Sequence, residues 1–217
     1  AVAGLSSGAY MATQVHLAYS DRLSGAALVA GGPYGCAGGE LETALGPCMA
    51  GEPAVAPLVA RTRERAETGD IAPLAGLAGD AVYVLRGRAD AVVSRAASAA
   101  SGAFYVELAA DAPGLSVQLD LDRDFPHLLP TVDAGADCGT GGEPWLGRCG
   151  FDAAGEIMAQ LFGAPSDGAT TASGELRRFD QSAYVPADAD PVLAEVGYLY
   201  LPPACAAGEP CGLLVAF

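Results

Sequence analysis

The sequence has no lysine: all 11 of its basic residues are arginine, set against 26 Asp and Glu, for a formal charge of −15 at pH 7. Such an acidic surface repels phosphate backbones, which excludes nucleic acid as an expected partner. The missing lysine accompanies abundant Ala and Gly and is read as compositional bias, with no function attached. No apolar run reaches the ~18 residues that a membrane-spanning helix needs, so no membrane partner is expected. Histidine is scarce, with only His16 and His127. No cysteine pair has C-x-x-C spacing, so a zinc site would lack ligands and no metal is expected. A phosphate-cradling G-x-G-x-x-G is also missing, and no internal repeat is visible.

What is present points to a globular chain. Its 217 residues are 51% hydrophobic, enough to bury a substantial core without obligatory stapling. We expect a single catalytic domain over 1–217 with a loop-rich sub-lobe around 133–180. Six cysteines fall into close pairs, Cys36 with Cys48, Cys138 with Cys149, and Cys205 with Cys211. An even count at short separations reads as disulfides, hence an oxidising compartment, extracellular or periplasmic. No secretion signal opens the sequence, which starts at Ala1-Val2-Ala3-Gly4. A leader is expected to have been removed or to lie outside it.

The pattern of elements is α/β. Val2 and Ala3 read as the end of a strand, and residues 9–19 as a helix with Met11, Val15 and Ala18 at helical spacing. Residues 24–30 and 81–85 are short apolar runs closed by turn residues, the mark of buried strands, and 115–121 alternates like a strand. Residues 35–52 and 133–150 read as loops. Residues 53–67, 91–100 and 152–162 read as helices, the first ending in a solvated Arg and Glu face. Residues 175–179, 197–201 and 213–217 look extended, the last two as a hairpin. Strands alternating with helices predict a mostly parallel sheet with helices on both faces.

Gly4-Leu5-Ser6-Ser7-Gly8 has the form G-x-S-x-G between a strand end and a helix start. In that setting the serine occupies a strained turn that exposes its oxygen at the positive end of the helix. The N–H of Ser7 then becomes an oxyanion donor. A plain Gly-Ser turn capping the helix has the same sequence. A serine hydroxyl needs a general base, and His16 lies ten residues along the same helix, ~15 Å away at 1.5 Å per residue. That leaves His127, in a loop after the 115–121 strand. Asp90, just beyond the 81–85 strand, is the candidate acid that would orient it. Asp120, Asp122 and Asp124 are rivals nearer in sequence, and a solvated loop residue is the bland reading of Asp90. The order Ser6, Asp90, His127 is that of α/β-hydrolases. Tyr10, Tyr34 and Trp145 are candidates for the substrate cleft. Core packing explains the two tyrosines equally well, and Trp145 stands between two cysteines that it could shield.

Only Ala1–Ala3 precede the motif, whereas several strands usually precede an α/β-hydrolase nucleophile. The expected fold is therefore circularly permuted, with the nucleophile elbow at the N-terminus and sheet strands supplied from the other end of the chain.

At these residues the sequence resembles the circularly permuted polyhydroxybutyrate depolymerases and related secreted esterases. The resemblance is carried by Gly4 through Ala12, His16 through Ser20, Gly25 through Tyr34, Gly87-Arg88-Ala89-Asp90 and His127-Leu128-Leu129-Pro130-Thr131. It continues in Cys149-Gly150-Phe151-Asp152, Phe179-Asp180-Gln181 and Leu201-Pro202-Pro203. It implies a Ser6, Asp90, His127 triad that needs no cofactor and hydrolyses short-chain polyhydroxyalkanoate or its oligomers. It also implies a His-Gly-Cys turn after the last strand, carrying a second oxyanion N–H, where this sequence stops at Phe217. That cysteine would compete for Cys205 or Cys211. Two other functions fit the same residues: a carboxylesterase for feruloyl or acetyl esters, and a non-catalytic polymer-binding domain.

Overall fold

A computed structural model describes residues 1–163, 173–186, 188 and 194–217. The 164–172 part of the expected 133–180 sub-lobe thus lies outside the described residues. The chain opens with strand β1 (Val2–Leu5), which turns directly into helix α1 (Ser7–Ala18), followed by β2 (Gly25–Val29). A short helix α2 (Leu41–Thr43) runs into a wide turn of π geometry over Ala44–Ala50, and α3 (Val55–Thr68) follows. Next come β3 (Ala81–Leu85), α4 (Arg95–Leu108) and β4 (Ser116–Asp120). Short strands β5 (Leu129–Thr131), β6 (Ala136–Asp137) and β7 (Leu146–Arg148) precede α5 (Ala153–Phe162). The remainder holds β8 (Glu175–Asp180), β9 (Val196–Leu201), α6 (Pro203–Ala206) and β10 (Val215–Ala216).

The central sheet has the order β10-β1-β2-β3-β4, and every pairing in it is parallel. β1, β2 and β3 are buried on both faces, which explains why they read as unbroken apolar runs, whereas the edge strands β4 and β10 are largely exposed. Alternate residues go to opposite sides. Val2, Ala26, Leu28, Val82 and Val84 pack with Leu17 of α1, Leu58 of α3 and Phe104 and Leu108 of α4. Ala3, Ala27, Val29, Tyr83 and Leu85 pack with Phe125, Leu128 and the Ala153, Ile157 and Leu161 stripe of α5. This is the mostly parallel α/β sheet expected, with helices on both faces.

Three local readings change. The 197–201 segment does not pair with the C-terminal strand: β9 is antiparallel to β8, while β10 lies parallel beside β1. The reason is β1's open edge, where the Ala1 amine donates to Leu213 O at 2.9 Å, Val215 N to Ala1 O and Phe217 N to Ala3 O. The helix expected at 91–100 starts later, at Arg95. Ser94 caps it, its hydroxyl accepting from Ala97 N at 2.9 Å. The two regions read as loops, 35–52 and 133–150, contain α2 with its π turn and the strands β6 and β7, which form a small sheet with β5.

The chain divides into two compact units, Ala1–Ala164 with Leu213–Phe217, and Pro165–Gly212. The larger contains the central sheet and the smaller the β8–β9 hairpin. The disulfides are Cys36–Cys48, Cys138–Cys149 and Cys205–Cys211, the three close pairs. No helix among the described residues is long and apolar enough to cross a membrane.

Cys36–Cys48 closes a loop with a sequence separation of 12 residues. By chain entropy such a link contributes about 3 kcal/mol. Replacing both cysteines by alanine is expected to lower the unfolding free energy by about 2–3 kcal/mol, read from denaturant melts under non-reducing conditions.

Candidate active site

The four strands β1 to β4 end together. Leu5, Val29, Leu85 and Asp120 stand in register, and the ladder extends one residue further through Ser6 N to Val29 O, Ala30 N to Leu85 O and Arg86 N to Asp120 O. Ser6, the Asp90 loop and the His127 loop therefore all leave the carboxyl edge of one sheet, where open α/β sheets place their sites.

Ser6 has φ 58° and ψ −122°, a left-handed conformation rare for a residue with a side chain. The turn is tight because β1 and α1 meet backbone to backbone. A Cβ on Gly4 would stand 2.1 Å from the carbonyl carbon of Gly8, and one on Gly8 would stand 2.2 Å from the carbonyl oxygen of Phe217. Both glycines of the motif are thus steric requirements, as a strand–serine–helix elbow demands. Ser7 is the first residue of α1 and is exposed. Its N–H belongs to the first helical turn, where donors lack intrahelical partners.

Asp90 and His127 meet. The Nδ1 of His127 is 2.8 Å from Oδ2 of Asp90, and the residues are only 8% and 7% exposed. The other Asp90 oxygen, Oδ1, accepts from Val92 N at 2.8 Å and Val93 N at 2.9 Å. Burial works to raise the Asp90 carboxyl, but the hydrogen bonds from His127, Val93 and Val92 outweigh it and leave it below the usual carboxylate range. Nδ1 of His127 is thereby committed to Asp90, and Nε2 is the nitrogen left for chemistry.

Backbone contacts hold the two loops together. Arg88 N donates to Arg123 O and Ala89 N to Phe125 O. Gly87 lies so close to the second loop that a Cβ on it would fall 1.9 Å from Phe125 O. Beneath, the guanidinium of Arg86 donates to Asp90 O at 2.5 Å and Val93 O at 2.9 Å, fixing the ends of the acid loop. Burial lowers the Arg86 pKa, partly offset by the charge of Asp90.

The rival groups go elsewhere. His16 is fully buried between Asp80, Oδ2 at 2.9 Å from its Nε2, and Tyr105, Oη at 2.9 Å from its Nδ1. Asp120 pairs with Arg123, Asp122 with Arg95 and Asp124 with Arg88. Trp145 stands beside His127, ring planes near perpendicular at a centroid distance of 6.1 Å, and remains 45% exposed. The Cys138–Cys149 disulfide ties the loop that carries it.

Tyr10 and Tyr34 line a cavity of about 600 Å³ whose wall also includes Ser6 and Ser7. One wall is a face of α1, with Tyr10, Met11 and Gln14; another is a face of α3, with Leu58, Arg61 and Arg65. The Cys36–Cys48 linkage closes a third side, and Tyr10 Oη donates to Cys48 O at 2.6 Å. Burial, and then the negative charge of Asp90, push Tyr10 up to about 12, so it stays a neutral donor. Trp145 is not among the residues that line this cavity. Sequence reasoning missed Met11, Gln14, Arg61 and Arg65. The two arginines, four apart, show only as a charged helix face, and nothing local says what that face meets.

No family model matches the chain. It is 38% identical over 213 residues to a poly(3-hydroxybutyrate) depolymerase of Delftia acidovorans, an alignment covering 95% of this chain and 42% of that protein. It is 32% identical over 222 residues to a polyhydroxybutyrate depolymerase of Talaromyces funiculosus, covering 99% of this chain and 62% of that one. The chain thus spans about half the length of these homologues. Among solved structures, the crystal structure of PHB depolymerase from Penicillium funiculosum superposes with a TM-score of 0.83 at 28% identity, over 100% of this chain and 67% of that one. A serine-to-alanine variant of PHB depolymerase complexed with an R3HB trimer gives the same TM-score, 0.83, at 29% identity. The resemblance carried by the motifs therefore extends over nearly the whole chain, in sequence and in fold.

Replacing Asp90 by alanine would strand His127 and two backbone N–H groups, an expected loss of about 2–5 kcal/mol at neutral pH. Because the folded carboxyl is depressed, its stabilisation is present above the unfolded value, about 3.9, and lost as pH falls towards the folded value. Melting temperatures of parent and D90A, followed from pH 7 to 3, should converge below about pH 4. A gap that stays constant with pH would contradict this. Gly87→Ala should force the two loops apart and lower both stability and any hydrolytic rate, while a substitution at exposed Arg88 does neither.

Proposed function

We propose that this chain hydrolyses the ester bonds of short-chain polyhydroxyalkanoates, poly(3-hydroxybutyrate) and its oligomers first among them, by acyl transfer through Ser6. The observation that carries this reading is the strained Ser6 elbow in the wall of a cavity, on the same sheet edge as a buried His127–Asp90 pair. Similarity to poly(3-hydroxybutyrate) depolymerases supplies the substrate class.

In this reading His127 Nε2 takes the proton of Ser6, whose oxygen attacks the ester carbonyl carbon. The oxyanion is held by the Ser7 N–H at the positive end of α1. Asp90 keeps the imidazole in one tautomer and stabilises its cation. The ester C–O bond breaks, His127 protonates the departing alcohol, and water deacylates Ser6 by the same route reversed. Trp145, against the imidazole, limits water at that side. The three disulfides support an oxidising setting, extracellular or periplasmic, where a solid or oligomeric polyester is met.

The test is hydrolysis of an (R)-3-hydroxybutyrate trimer, of 4-nitrophenyl butyrate and of a feruloyl ester. Ser6→Ala should reduce trimer hydrolysis by at least about 10³-fold with the fold intact by circular dichroism. A trimer rate below the feruloyl rate would move the assignment to a general carboxylesterase. A folded parent chain with no activity on any of the three would favour a binding role.

A further inference from the structure

The cavity beside Ser6 has an uneven character along its length. Near the nucleophile its walls are apolar or neutral, with Tyr10, Met11 and Met49; the α3 wall brings two cations, Arg61 and Arg65. In a chain with 26 acidic residues, none of the residues lining this cavity is Asp or Glu. The ion pairs formed among the described residues use Arg63, Arg88, Arg95, Arg123, Arg148 and Arg177, and leave Arg61 and Arg65 without a carboxylate. Both are nevertheless positioned. Arg61 Nη2 donates to Gly35 O at 3.3 Å, and the guanidinium of Arg65 lies 5.8 Å from the centre of the Tyr34 ring. Each keeps several N–H donors uncommitted, in the planar fork that suits a carboxylate.

The distance from the nucleophile follows from α1. Ser7 and Gln14 both line the cavity, and seven residues of helix span about 10 Å. The Gln14 amide oxygen accepts from Gly35 N, and Gly35 O in turn accepts from Arg61, so the cationic end lies at the far end of that wall. A 3-hydroxybutyrate unit adds four backbone bonds, roughly 5 Å when extended at ~1.3 Å per bond. About two units separate Ser6 from the arginines.

We propose that Arg61 and Arg65 bind the terminal carboxylate of a hydroxyalkanoate chain whose last two units fill this cavity, directing cleavage to the second ester from the acid end. The proposal rests on the esterase reading above. Polyester chemistry fixes which half enters. At each ester the acyl carbon belongs to the hydroxyl-terminal side and the oxygen to the carboxyl-terminal side. Attack forms the Ser6 Oγ–acyl bond and breaks the C–O bond, and the freed oxygen takes its proton from His127. The departing half is therefore the one that carries the carboxylate, here a dimeric hydroxy acid. The overall charge of −15 disfavours an anionic ligand at long range; in the cavity wall Arg61 and Arg65 are the charged residues, and Asp70 is the carboxylate whose charge also acts on Tyr34.

The test compares kcat/KM for cleavage between units of an (R)-3-hydroxybutyrate tetramer with a free carboxylate and of the same tetramer capped as a carboxamide. The full chain, Arg65→Lys and the double variant R61Q/R65Q are each assayed. The parent should prefer the free acid by about tenfold, mainly through KM, and should release dimer first. The double variant should bring the ratio to about one, and Arg65→Lys should keep part of the preference because it keeps the charge. A parent ratio near one, or an unchanged ratio in the double variant, overturns the carboxylate site while leaving the esterase reading intact. If the parent cleaves neither tetramer, the esterase reading fails. The site is then judged by calorimetric titration with the hydroxybutyrate dimer acid and its carboxamide: acid-selective binding lost in R61Q/R65Q upholds it, and equal or absent binding overturns it.

Discussion

The site depends on how closely the first strand and first helix can approach. A Cβ on Gly4 would collide with the backbone of Gly8, and one on Gly8 with the backbone of Phe217. The approach of Gly4 to Gly8 forces the residue between them into a left-handed conformation, and the residue is a serine. A side chain at either glycine would move the start of α1 away from the sheet and carry the Ser7 N–H with it. Strain at this turn is held by the pairing of β1 between β10 and β2, both parallel to it.

The candidate acid and base are held by a second close contact, between the loops that leave β3 and β4. Here the fit is made by Gly87 against Phe125 O, by two backbone hydrogen bonds, and by the buried Arg86 under the acid loop. The carboxylate of Asp90 has its oxygens divided between the His127 ring and two backbone donors, so its charge is used twice: once to close its own loop and once to orient the imidazole. Asp80 and His16 make a similar pair in the core, at 2.9 Å against 2.8 Å. The difference is position. One pair lies at the carboxyl edge of the sheet and the other is sealed behind α1 and α4, with Tyr105 occupying the second nitrogen.

Charge is distributed to match. A chain this acidic places most of its arginines in ion pairs with neighbouring carboxylates, where exposed pairs contribute little stability. The α3 arginines that face the cavity are among those outside such pairs, and they stand in the wall of an otherwise uncharged space that Ser6 also lines. The disulfide that closes this space joins two segments with little regular structure of their own, which explains why a covalent tie is placed there rather than under the sheet.

By itself the sequence determined the core strands and the elbow. The strand end at Val2 and Ala3 and the runs 24–30 and 81–85 are legible because a strand buried on both faces must be apolar throughout, and G-x-S-x-G is legible because its requirements are local. The paired cysteines were equally readable, since each bridge spans a short loop. Elimination selected His127, because only two histidines exist and helix geometry removes one of them. Only the tertiary structure decided the rest. The C-terminal strand joined β1 rather than forming the expected hairpin with 197–201, because strand pairing is a contest between edges distant in sequence. The start of α4 was set by Ser94 once Asp90 had captured the N–H groups of Val92 and Val93, and no periodicity records that. Arg61 and Arg65 read as a solvated helix face, since a helix pattern shows which side is charged but not what the fold sets opposite it.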